Sequence, residues 1–80
     1  MDRKEARRQV HGIVLRHLDG HETFDAAAHR IAIILRNATY VEVIYLLYSE
    51  SLLLLQDRRG DHERGIELVQ AARGITRGGP

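Results

Sequence analysis

The sequence predicts an all-α fold: a compact four-helix domain, dimeric, organised around a central and nearly all-apolar third helix. Three observations carry this reading. Apolar residues recur at three- and four-residue steps in four segments of the 80-residue chain, the spacing that aligns side chains on one helix face. Residues with stop and start chemistry separate those segments. Residues 39–56, TYVEVIYLLYSESLLLLQ, are apolar on nearly every side, and a helix of that kind belongs in a core, a membrane or an interface.

The first pattern covers residues 2–18, with Ala6, Val10, Ile13, Val14 and Leu18 on one face and Glu5, Gln9, Gly12 and Arg16 opposite. Its opening turns carry Arg3, Lys4, Arg7 and Arg8. Positive charge is the wrong sign for the positive end of a helix macrodipole, so these turns are expected to fray or to meet an acidic partner. Asp19 and Gly20 stop the helix, because glycine supplies the left-handed conformation that a C-terminal cap requires.

Thr23 is the expected cap of a second helix, whose stripe of Phe24, Ala27, Ala28, Ile31, Ile34, Leu35 and Ala38 faces a core. Asp25, His29 and Arg36 share the far side, placing this helix at a surface. No Gly or Pro divides it from the next segment. Run as one rod, however, the buried stripe of the second helix would align with the polar stripe of Glu42, Ser49 and Gln56. A break at Asn37 to Thr39 removes the conflict. Asn37 tolerates a C-terminal cap, and Thr39 with Glu42 spells a capping box. The two helices are expected to form a tight antiparallel hairpin.

In the third helix Val43, Ile44, Leu47, Tyr48, Leu52, Leu54 and Leu55 fill one broad side. The polar stripe opposite is interrupted by Leu46 and Leu53. Asp57 to Gly60 end the helix and Asp61 caps a fourth, running to about Thr76 with Gly65, Leu68, Ala72 and Ile75 inward and Val69 and Ala71 flanking. Gly65 and Ala72 allow close approach of another helix, while Gly65 and Gly74 each cost about 1 kcal/mol relative to Ala. One helical domain over residues 1–77 and a flexible tail over 78–80 complete the expected organisation.

A chain this short buries only about 60 to 65% of its unfolded surface, so a partner subunit would help its stability. Cysteine is absent, which removes disulfides and thiolate metal sites. Twelve basic against eleven acidic residues give no strong charge bias. The N-terminus is charged with no unbroken apolar run behind it, so no secretory signal is expected. Residues 41–55 include Glu42, Ser49, Glu50 and Ser51 and fall short of the roughly 20 apolar residues that span a bilayer. A cytoplasmic protein with no membrane association is expected.

The function these features point to is a small non-enzymatic protein–protein interaction module, an adaptor, regulator or inhibitor, acting as a homodimer. Leu46 and Leu53, seven residues apart between Glu42, Ser49 and Gln56, are expected to form an exposed apolar ridge with a polar rim, the anatomy of an interface. Tyr45 and Tyr48 join that interface, because a tyrosine brings a large apolar ring with a polar tip.

The alternative is a nucleic-acid-binding regulator whose Arg3, Lys4, Arg7 and Arg8 grip phosphates. A third reading is a metal- or pH-responsive module. His21, Asp25 and His29 are its candidate ligands, although no metal or other cofactor is expected, since a site needs three or four convergent ligands. His17, on an apolar face, is expected to be a hydrogen-bonded core or interface residue, with Glu42 or Glu50 as a carboxylate able to tune its titration. For catalysis, Ser49 and Ser51 lack the strand-to-helix elbow of a nucleophilic serine. Glu42 and Glu50 lie roughly 12 Å apart along a helix, too far to share a proton. No enzymatic site is expected.

Overall fold

The computed structural model describes residues 3–39, 41–46, 48–49 and 62–76, with the side chain of His62 outside that description. About 85% of the described residues are helical and none is in a strand. Helix α1 is Arg3–Leu18, α2 is Phe24–Leu35, residues 41–46 and 48–49 are helical and are labelled α3, and α4 is His62–Thr76. The expected cap at Asp61, Leu53 and the rest of the apolar run beyond residue 49, and the tail at 78–80 lie outside the described residues.

Helix α1 buries Ala6, Val10, Ile13 and Val14, the face its periodicity marks. It closes in a Schellman motif. The His21 N–H donates to the Arg16 carbonyl at 2.9 Å, the Gly20 N–H donates to the His17 carbonyl at 3.0 Å, and Gly20 has φ +82°. Orphan carbonyls of the last turn are thereby satisfied in a backbone conformation that only glycine adopts without strain.

Thr23 caps α2 as the sequence predicts. Its backbone is extended, and its Oγ1 accepts from the Ala26 N–H at 3.2 Å. The far end of α2 differs from expectation in its means. Arg36 stays right-handed, and no non-glycine residue among those described has positive φ. Asn37 instead closes the helix through its side chain, Nδ2 donating to the Ile33 carbonyl at 3.2 Å. The Asn37 and Ala38 amides reach back three residues to Ile34 and Leu35, the tightened bonding typical of a last turn.

The break before α3 is present, and so is its capping box. The Glu42 N–H donates to Thr39 Oγ1 at 3.2 Å, while the Thr39 N–H donates to Glu42 Oε2 at 2.8 Å. Two orphan amides are satisfied reciprocally, which sets the direction in which α3 leaves the turn.

Among the described elements, α2 packs most extensively against α4, less against α1, and α1 meets α4 only marginally. Both helices of this pair bury small residues, Ala27, Ala28 and Ala32 on α2 and Gly65 and Ala72 on α4. Ile31 of α2 and Leu68 and Val69 of α4 are among the largest fully buried side chains. Small side chains let two helix axes approach, and the larger ones then interdigitate at crystal-like density.

Helix α3 joins the same core through Val43 and Leu46, with Ser49 buried on that side. Leu46 is 2% exposed, so the exposed ridge expected at Leu46 is not there. The phase of the helix is turned over. A helical wheel gives the angular order of side chains but not which sector faces the neighbours. With apolar residues on both sides, packing against the rest of the core made that choice.

Candidate functional site

The outward face of α3 follows from that inversion. Val41, Ile44 and Tyr48 are 64%, 41% and 67% exposed. With Tyr45 they occupy positions i, i+3, i+4 and i+7, the spacing of one continuous helical stripe. Tyr45 is half-buried, and the Arg3 guanidinium sits 5.2 Å from its ring centroid. Cation–π contacts of this kind contribute about 0.5 to 1 kcal/mol at exposed sites. This contact, between residues 42 positions apart in sequence, brings the start of α1 onto α3.

Arg3 also bears on Glu42. The backbone hydrogen bond from Thr39 is the largest cause holding the Glu42 carboxyl below its ordinary value; desolvation opposes it, and the Thr39 hydroxyl bond and then the charge of Arg3 add to the lowering. One edge of the exposed stripe therefore carries a fixed negative and a fixed positive charge.

Of the six residues expected at an interface, Tyr48 faces outward and Tyr45 and Glu42 lie at the edge. Leu46 and Ser49 face the core, and Leu53 is outside the described residues. Val41 and Ile44 are the members that sequence reasoning missed. Their spacing was visible, but the equal apolarity of the opposite sector hid which side it marked.

The basic start of α1 is structured from Arg3 onward. Lys4 and Arg8 are exposed and Arg7 is half-buried. Arg8 pairs with Glu5, whose Oε1 also accepts from Gln9 Nε2 at 3.0 Å. These bonds run along one helix face and supply the negative charge that the first turns call for.

Behind this row an open groove of about 570 Å³ separates α1 from α2, with Arg8, Gly12, Ile13 and Arg16 on one wall and Arg30 on the other. Glu22, in the α1–α2 turn, joins the walls: its Oε1 lies 2.6 Å from Arg30 Nη1 and 3.9 Å from Arg16 Nε. Its Oε2 is buried and accepts no hydrogen bond within the described structure. The convergence of two guanidiniums on Glu22 was not legible in sequence, since the three residues belong to two helices and a turn with no shared periodicity.

At the same corner His17 is structural. Its Nδ1 is 2.9 Å from the Glu22 carbonyl, and its ring meets Phe24 edge-on at 5.6 Å. The acceptor is thus a backbone oxygen of the turn, in keeping with the hydrogen-bonded residue expected at this position. His29 Nδ1 lies 2.8 Å from the Asp25 carbonyl one turn back, so those two residues meet through the backbone. Among the described residues, no three His, Asp or Glu side chains converge as a metal ion requires, His21, Asp25 and His29 included. No described helix is long and apolar enough to cross a membrane.

Comparison with protein-family models, curated proteins and solved structures finds no match to the chain.

Proposed function

We propose that this chain is a non-enzymatic protein interaction module that acts as a homodimer, docking through the outward face of α3. The observation that supports this is the exposure of Val41, Ile44 and Tyr48 on a helix whose opposite face already fills the core. Contiguous exposed apolar stripes with polar rims mark interaction surfaces. Covering each of these side chains contributes on the order of 1.5 to 3 kcal/mol, a large fraction of a small domain's stability.

A second copy suits the charges at the rim. Arg3 and Glu42 lie at the same edge of the stripe. Under a two-fold axis the positive group of one subunit can face the negative group of the other, so the surface is complementary to itself.

Light scattering coupled to size exclusion tests the reading. The wild-type protein should give twice the 9.1 kDa chain mass at micromolar concentration, and Ile44→Glu with Tyr48→Glu should give a folded monomer. A wild-type chain that remains monomeric at high micromolar concentration would overturn the homodimer.

A further inference from the structure

We infer that the groove between α1 and α2 is a binding site for the phosphodiester backbone of a nucleic-acid duplex, read without sequence preference. The site lies on a different surface from the α3 stripe and does not rest on self-association.

Lys4, Arg8, Gly12 and Arg16 stand at successive four-residue steps along α1, one continuous ridge that spans about 18 Å at 1.5 Å rise per residue. Arg30 of α2 lines the opposite side of the groove. An extended row of cations suits a polyanion better than a single small anion, and guanidinium forks match phosphate oxygens in pairs.

Each carboxylate in this region is less exposed than the arginines it pairs with, and Glu5 itself lines the groove. The Glu22 side chain is 11% exposed, whereas those of Arg16 and Arg30 are 56% and 52% exposed. Arg8 likewise stands further into solvent than Glu5. Buried Glu22 and half-exposed Glu5 orient the guanidiniums, and the paired arginines extend further into solvent than either carboxylate, so the cations present the larger surface to a ligand approaching from outside.

Gly12 sits in the middle of the ridge, and a Cβ built there meets nothing within 4 Å. Packing therefore does not explain a residue that costs about 1 kcal/mol in a helix interior. Its lack of a side chain instead leaves the ridge open where a sugar-phosphate backbone would pass between Arg8 and Arg16. Among the described residues, none that lines the groove is aromatic. Single strands are held largely by base stacking on aromatic side chains, and the absence of such a platform favours a duplex contacted through its phosphates.

The test is fluorescence anisotropy of the full chain with short mixed-sequence DNA and RNA duplexes over about 50 to 200 mM salt. Four phosphate contacts predict a slope of about −3 to −4 in log affinity against log salt. Arg16→Gln and Arg30→Gln should each reduce the slope by about 1, while Arg36→Gln, outside the groove, should leave it unchanged. Because Arg30→Gln strips Glu22 of a partner, Arg30→Lys provides a second variant that keeps the charge, and it should retain the slope. Gly12→Leu should weaken binding roughly tenfold at constant charge and slope, in a chain whose helix is at least as stable. Which duplex binds tighter identifies the source of the phosphodiester.

Three results would each overturn the assignment: absence of salt-dependent binding to either duplex, wild-type slopes in both Arg16→Gln and Arg30→Gln, or equal affinity for polyglutamate, which would mark an acidic protein as the ligand.

Discussion

Thr39 and Glu42 exchange hydrogen bonds across the first turn of α3: the Thr39 amide donates to the Glu42 carboxylate at 2.8 Å, and the Glu42 amide donates to the Thr39 hydroxyl at 3.2 Å. This box terminates the α2–α3 turn and starts the helix that carries the exposed stripe. Thr39→Ala should cost about 1 kcal/mol, the usual loss for an N-terminal cap, read as a shift in denaturant midpoint. The Glu42 half is pH-dependent. Its carboxyl is held below the ordinary value by the Thr39 amide first and by Arg3 among lesser causes. A lowered value in the folded state means that its contribution is fully present above the ordinary carboxylate range and is lost as pH falls through the lowered value. Wild-type stability should therefore drop on acidification by more than that of Glu42→Gln. Parallel pH profiles would show that the box carries no such linkage.

Three glycines in two backbone conformations should respond in opposite senses. Gly12 and Gly74 are exposed, helical and open to an added Cβ, so Gly12→Ala and Gly74→Ala should each raise stability by about 0.5 to 1 kcal/mol. Gly20 also has free space around it, yet its φ of +82° penalises any side chain. Gly20→Ala should destabilise by about 1 kcal/mol despite the absence of a clash. Urea titrations of the three variants decide this, and a stabilised Gly20→Ala would contradict the left-handed cap.

Leu46 and Tyr48 separate stability from association. Leu46 belongs to the core, so Leu46→Ala should cost about 2 to 5 kcal/mol and lower the thermal midpoint whatever the oligomeric state. Tyr48→Ala should leave the stability of the monomer within about 0.5 kcal/mol, as surface changes usually do, while reducing the dimer population. Circular dichroism melts beside light scattering distinguish the two residues. A Tyr48→Ala variant that unfolds like Leu46→Ala would show that this face is part of the monomer core.

Helices α2 and α4 pack closely and each buries small residues, with Ala27 and Ala72 at 0% exposure. Ala72→Leu should cost about 1 to 3 kcal/mol through overpacking, although leucine is a good helix former. Helicity measured below the thermal midpoint should stay near the wild-type value while that midpoint falls. An unchanged midpoint would mean that the two helices tolerate a wider separation.

What the sequence by itself determined about this protein is what lies within a few residues of chain. The left-handed stop at Gly20, the cap at Thr23, the box between Thr39 and Glu42 and the buried face of α1 all depend on hydrogen bonds or periodicities spanning nine residues or fewer. Stereochemistry of that range is written in residue type and spacing. The tertiary structure alone decided which side of α3 faces inward, because Val43 and Leu46 on one side and Val41 and Ile44 on the other are equally apolar, and only contact with the rest of the core distinguishes them. It also decided the electrostatic partners. Arg3 over Tyr45, and Arg16 and Arg30 converging on Glu22, join residues whose separations follow no helical period. Such pairs arise from how rigid helices cross, and a crossing depends on the shapes of both surfaces at once, which no single segment encodes.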